Sequence, residues 1–235
     1  MSKYYKDWLE TDVKELKGFD IKDLSSIVFF RDPFRSLFIA PNLFFSPADG
    51  IILYQKEILP DEKTIEIKGR NFTLKNLFMN DKFDKKCLVI GIFLTFLDVH
   101  IVRIPTSGYV FYKELPCIRS KNQPMIFLEK KLLEEKTLDY SSANYLFYNS
   151  RKINKIVCPK LNYTYYMVEI SDSDVDLSLH LKSSGKFHLQ GDRLSVIRYG
   201  SQVDLVLPVD TRFKFELLQK DGMHVEAGRD VLIKI

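Results

Sequence analysis

The chain has 235 residues, 46% of them hydrophobic and 28% charged, with a formal net charge of +4. That length suits one large domain or two small ones, with enough apolar material for a sizeable core. The charged fraction is that of an ordinary soluble protein, and the mild positive balance argues against a nucleic-acid binder while fitting a weak attraction to anionic membrane surfaces.

Cys87, Cys117 and Cys158 are widely spaced and odd in number. This pattern argues against a disulfide framework and a zinc site, and for a reducing compartment. No signal peptide is read at the start of the sequence. The longest apolar run, Leu88 to Leu97, is about half of what spans a bilayer. It is expected to be a buried strand, which makes any membrane contact peripheral and the expected location cytoplasmic.

Residues 3–17 have helical spacing, with Tyr5, Leu9, Val13 and Leu16 on one face, Trp8 beside them and Gly18 as a stop. Residues 1–26 are accordingly set apart as an N-terminal amphipathic helix, docked on its own domain or membrane-facing. Residues 27–235 form the main domain. It begins with an aromatic stretch from Phe29 and Phe30 through Phe34 and Phe38 to Phe44 and Phe45, interleaved with Arg31 and Arg35. Such a stretch suits either a core or an apolar lip with cationic neighbours, fitted to a phospholipid head.

Ser46-Pro47-Ala48-Asp49-Gly50 reads as a turn before the strand Ile51–Tyr54, and short strands follow at 64–67 and 72–74. After Leu88–Leu97, the segment Asp98-Val99-His100-Ile101-Val102-Arg103 alternates in an extended pattern that puts Asp98 and His100 on one face. A carboxylate two residues from an imidazole at the end of a buried strand is a candidate acid/base pair. His180, His188 and His224 have no such company in sequence and read as surface or core fillers. No His/Cys/Asp cluster has metal-ligand spacing.

A turn is expected at Ser107–Gly108 and a helix at 125–136. Strands are expected at 146–148, 155–158 and 163–170. The acidic stretch Ser171–Asp176 lacks the glycine and distal glutamate of a calcium loop and reads as a solvated turn or a helix cap. From Gly191 onward, short strands alternate with turns at 194–198, 203–207, 213–217 and 231–233. The fold class expected is mainly β, or α+β, with barrel-sandwich-like hairpins and a few peripheral helices.

In Arg198-Tyr199-Gly200-Ser201-Gln202-Val203-Asp204 a Gly-Ser pair lies between two β-patterned runs. Glycine tolerates strained backbone, so a serine hydroxyl beside it has access to the preceding carbonyl. Taken alone, the pair is a glycine kink in a strand or a site of self-cleavage.

Five segments, in order, resemble the short form of the phosphatidylserine decarboxylase proenzymes. They are Phe29-Phe30-Arg31-Asp32-Pro33 with Arg35, Ser46–Gly50, Asp98-Val99-His100 with Arg103, Pro105 and Gly108, Gly191 through Pro208 with its Gly200-Ser201 junction, and Val225 with Ala227-Gly228. The resemblance implies self-cleavage between Gly200 and Ser201 into a β chain, 1–200, and an α chain, 201–235, that stay associated. It implies a pyruvoyl cofactor made from Ser201, which condenses with the amine of phosphatidylserine and accepts the electrons left as carbon dioxide departs, giving phosphatidylethanolamine. It implies His100 as base, Asp49 or alternatively Asp98 as its orienting carboxylate, and Arg31, Arg35, Phe29 and Phe30 as headgroup or membrane contacts.

Arg103 stands where long forms carry a second histidine, which implies that His100 serves both cleavage and decarboxylation. Val168-Glu169-Ile170-Ser171-Asp172 stands where the family has Val-Gln-Ile-Ala-Gly. Two other functions are compatible with the residues: a pyruvoyl decarboxylase of a soluble amino-acid-type substrate, and a non-catalytic β-barrel binding relative that never matures.

Overall fold

The computed structural model describes residues 2–18, 28, 31–172, 179–197 and 201–235. In chain order its strands are β1 (Lys3–Tyr4), β2 (Leu43–Phe45), β3 (Gly50–Ile58), β4 (Ile65–Ile67), β5 (Arg70–Phe72), β6 (Cys87–Leu94), β7 (Ile101–Arg103), β8 (Gly108–Leu115), β9 (Arg151–Cys158), β10 (Tyr163–Ser171), β11 (Leu179–His180), β12 (Lys186–His188), β13 (Arg193–Val196), β14 (Ser201–Pro208), β15 (Glu216–Leu217), β16 (Met223–Val225) and β17 (Val231–Lys234). The helices are α1 (Tyr5–Thr11), α2 (Leu74–Phe78), α3 (Ile126–Leu133) and α4 (Tyr145–Tyr148).

Nine strands make one antiparallel sheet in the order β1-β16-β3-β6-β14-β10-β9-β8-β12, flanked by β11-β13-β7, β15-β17-β2 and the hairpin β4-β5. The protein is therefore mainly β, as its sequence leads one to expect. Among the described residues the strands form open sheets and no closed barrel.

The central strands β6 and β14 are buried along their whole length. Alternate side chains enter two different cores. Val89, Phe93 and Val206 pack with Trp8, Phe72, Leu77 and Leu128 on one face. Ile90, Leu94, Val203 and Leu205 pack with Phe44, Met167 and Leu232 on the other. Burial on both faces is why Leu88–Leu97 reads as an unbroken apolar run. Each such side chain contributes about 1.5–3 kcal/mol on leaving water.

Two glycines permit close approach within this sheet. Gly50 has φ +153°, and a Cβ there would lie 2.3 Å from the Phe93 carbonyl oxygen. At Gly91 a Cβ would fall 2.4 Å from Tyr54 Cζ, so the missing side chain makes room for the tyrosine ring.

Several elements depart from the sequence reading. The helix expected over 3–17 stops at Thr11 and resumes as a 3-10 turn over Lys14–Gly18. Its apolar residues Tyr5, Trp8, Leu9 and Val13 are buried in the domain, while β1 hydrogen-bonds to β16 in the main sheet. The 146–148 segment is helix α4 and not a strand. Its terminal carbonyls find a donor in buried Arg151, which bonds Leu146 and Asn149 oxygens at 2.8 and 3.1 Å and also Asn76 and Leu77 oxygens of the α2 terminus. One guanidinium thus satisfies the C-terminal ends of two short helices. Strand β8 follows the Ser107–Gly108 turn unanticipated, and only Glu216–Leu217 of 213–217 pairs with a neighbour.

Candidate active site

Ser201 opens β14, where register pairs it with Leu94 of β6 on one side and Ser171 of β10 on the other. Its side chain therefore shares the face of Leu94, Val203 and Leu205, while Gln202 and Asp204 point to the opposite core. Ser201 has no exposed surface, and its hydroxyl has no hydrogen-bond partner among the described residues. Buried hydroxyls are normally bonded, so an orphaned one at the head of a central strand calls for a chemical explanation. Gly200, the other half of the junction, lies outside the described residues, as do Phe29 and Phe30.

Immediately after Leu94 the chain makes a turn over Thr95–Asp98. One Asp98 oxygen accepts the Thr95 amide and hydroxyl at 2.8 and 2.7 Å. Buried Glu129 of α3 accepts the Phe96 amide at 2.8 Å. Arg31 donates to the Leu97 carbonyl at 2.6 Å and the Val28 carbonyl at 2.8 Å. The turn is thus held by side chains from three separate parts of the chain.

His100 leaves this turn fully buried. Its Nε2 faces the Thr95 carbonyl at 3.0 Å and its Nδ1 the Ile197 carbonyl at 3.1 Å. Its backbone carbonyl also accepts the Ile197 amide at 3.0 Å. The imidazole is therefore built into the same end of the sheet as Ser201, close after Leu94 on one side and beside Ile197, four residues upstream of Ser201, on the other. Burial lowers its pKa against the pull of the two carbonyls and of Asp98, so the neutral ring prevails. A neutral ring donates to one carbonyl at a time, and the tautomer decides which nitrogen carries the lone pair.

The two candidate carboxylates have partners other than this ring. Asp49 receives both nitrogens of the Arg35 fork at 2.7 and 2.6 Å and the Ala227 amide at 2.8 Å. Arg35 also donates to the Ala227 carbonyl at 2.5 Å. Burial works against the Arg35 cation, but the Asp49 bond outweighs it and raises the pKa. Asp98 is met by His224, whose Nε2 lies 2.6 Å from its second oxygen. Burial disfavours the Asp98 carboxylate, yet His224 and the Thr95 donors hold its pKa below the usual range. Arg103 bonds the Gly191 carbonyl at 2.9 Å and Asp32 at 3.2 Å.

The structure thus brings Ser201, His100, Asp98 and Arg31 to one end of the sheet and ties Asp49 to Arg35 beside Ala227. It gives both arginines internal partners. It departs from the sequence reading most at His224, which is no filler. It is the imidazole that Asp98 bonds, and it stacks on Trp8 with ring centroids 3.9 Å apart and planes 10° from parallel. Spacing had no way to reveal this, because the partners are 126 residues apart. Glu129 was equally hidden within an ordinary helical pattern. Its second oxygen is buried without a partner among the described residues, and burial raises its pKa well above the carboxylate range.

A family model described as phosphatidylserine decarboxylase matches residues 25–233. A putative archaetidylserine decarboxylase proenzyme of Methanothermobacter thermautotrophicus is 30% identical over 209 residues, covering 88% of this chain and 78% of that one. A phosphatidylserine decarboxylase proenzyme of Wolbachia pipientis is 26% identical over 88% of this chain and 74% of its own. One from Rickettsia akari is 28% identical, over 88% of this chain and 73% of its own.

Proposed function

The chain belongs to the phosphatidylserine decarboxylase family, a family of carboxy-lyases, and we propose that it is a precursor that cuts itself between Gly200 and Ser201 and then decarboxylates a serine phospholipid. The observation that carries this reading is the Ser201 hydroxyl, buried and without a partner among the described residues at the start of a strand fixed on both sides.

In this reading His100 takes the hydroxyl proton, and Ser201 Oγ attacks the Gly200 carbonyl to replace the peptide bond by an ester. A base then removes the Ser201 Cα proton, and elimination leaves residues 1–200 ending in a carboxylate. The new N-terminus of 201–235 is a dehydroalanine, which takes up water and loses ammonia to become a pyruvoyl group. The orphaned hydroxyl after a glycine fits that group's formation. Once formed, the group supplies an electron sink for the pair released with carbon dioxide. His100 remains at the site to hold and return a proton. Asp98 reaches His100 through Thr95, and Asp49 fixes the turn before β3 against Ala227.

The relatives are named for two lipids, archaetidylserine and phosphatidylserine, that share a serine phosphodiester head and differ in their tails. The head is therefore the feature assigned to this site. Peripheral attachment to an anionic membrane is supported by the loop at 34–39. Phe34, Phe38 and Ile39 are 93%, 59% and 57% exposed, while the loop hangs on the site through Arg35 and Asp49. Among the described residues no helix is long and apolar enough to cross a membrane.

Intact-mass spectrometry of the expressed protein tests the reading. The expected result is a 1–200 piece and a 201–235 piece whose N-terminal carbonyl reacts with hydrazine, with Ser201→Ala and His100→Ala remaining at the full 27.5 kDa. The mature protein is then offered vesicles of phosphatidylserine, vesicles of its diether counterpart, and free serine. Carbon dioxide from lipid but not from serine supports the assignment. A wild-type chain that stays at full mass with no trappable carbonyl refutes it.

A further inference from the structure

The Asp98 carboxylate serves as a junction between two imidazoles. One oxygen accepts His224 Nε2 at 2.6 Å. The other holds the Thr95 amide and hydroxyl, and the Thr95 carbonyl faces His100 Nε2 at 3.0 Å. Behind His224 lies Trp8, stacked face to face and 4% exposed. The backbone repeats the connection, since Lys3 of β1 is paired with His224 of β16. Every side chain in this chain of contacts is buried, and the links come from separate stretches of sequence.

From this geometry we infer that His224, clamped by Trp8, is a positioning residue that fixes the Thr95–Asp98 turn and through it the His100 ring. The inference rests on the reading that His100 is the base. His224 itself lies against Trp8, whose core is on the face of the sheet away from Ser201, so it has no direct access to the reacting hydroxyl. What it supplies is a donor to the Asp98 oxygen that Thr95 does not use, so that both oxygens of the carboxylate are held. A shift of the turn by about an ångström misplaces a catalytic group enough to slow chemistry on the order of 100-fold.

The arrangement has a second consequence. After the proposed cut, His224 belongs to residues 201–235, while Asp98 and Trp8 belong to 1–200. The small fragment then carries part of the support for the base held by the large one, and the N-terminal segment takes part in the same support.

The test uses the full chain with His224→Ala, His224→Gln and Trp8→Ala. Glutamine retains an amide donor near the position of Nε2. Three quantities are read: the half-time of conversion to fragments, kcat and KM on phosphatidylserine per hydrazine-titrated carbonyl, and the thermal midpoint in an uncleavable Ser201→Ala background. His224→Ala and Trp8→Ala are expected to slow cutting and lower kcat by about 10–100-fold, with KM changed by no more than about twofold and glutamine restoring most of the loss. The inference is overturned if His224→Ala lowers only the thermal midpoint and turns over at the wild-type rate per carbonyl. A wild-type chain that never cuts defeats the proposed function and this inference with it. A wild-type chain that cuts beside an unimpaired His224→Ala defeats this inference alone.

Discussion

Asp204→Asn is expected to remove a contribution to stability that fades as pH rises through the weakly acidic range. Asp204 lies on β14 three residues from Ser201, fully buried on the opposite face. It accepts the Tyr54 hydroxyl at 2.8 Å and the Gln202 amide at 2.6 Å. Burial drives its pKa from 3.8 to about 6, against those two bonds and the field of Arg151. Because the folded value is the higher one, the folded chain holds a proton that the unfolded chain releases. The stabilisation is therefore complete below about pH 4 and is lost as pH rises through about 6. A shift of roughly two pH units at about 1.4 kcal/mol each amounts to about 3 kcal/mol. Asparagine does not titrate, so the difference between the variants should change by about that amount across this window and stay flat above it. Urea unfolding of Ser201→Ala with and without Asp204→Asn, between about pH 4 and pH 8, measures it. Subtracting the two curves cancels the other buried groups, including Glu129, whose pKa moves the same way, and Asp98 and His100, whose values move down. Parallel curves would refute the argument.

Arg35→Met should destabilise the uncleavable background by about 3–5 kcal/mol, because it strands a buried Asp49 carboxylate. Adding Asp49→Asn should recover part of the loss, and denaturant titration of the single and double variants checks this non-additivity. Replacing Phe34 and Phe38 together by serine should leave self-cleavage intact while reducing co-sedimentation with phosphatidylserine vesicles several-fold. Unchanged sedimentation would remove the 34–39 loop as the membrane contact.

The fold class and one end of the site were legible in the sequence for a shared reason: both are carried by short-range pattern. Leu88–Leu97 announces a strand covered on both faces, and Val203, Leu205 and Leu207 alternate as β14 does. Asp98 and His100 stand next to that pattern. The parts that were not legible depend on distant partners. Leu146-Phe147-Tyr148 has a composition that suits a strand. It is a helix whose terminal Leu146 carbonyl is met by Arg151, a guanidinium held in place by the distant Asn76 and Leu77 carbonyls. The alternation that placed Asp98 and His100 on one face of a strand also misled, because Asp98 sits in a turn, and turns obey the bonds of Thr95 and Glu129 rather than a period of two. His224 carried no local mark at all.

The position of the proposed cut at the head of β14 determines whether the two pieces stay together. Residues 201–208 pair with β6 through eight register positions and with β10 through six, so severing the chain ahead of Ser201 leaves every pairing beyond residue 201 in place in both ladders. β16 and β17 hold the rest of the C-terminal piece to β3 and to β2. Ala227 is bound to both Asp49 and Arg35, and His224 to Asp98. Cleavage here exchanges one peptide bond for two chain ends while the buried surface on both faces of the sheet is kept. A serine that attacks its own backbone needs such a setting, since the strand must be rigid enough to aim the hydroxyl and must remain in place after its upstream connection is gone.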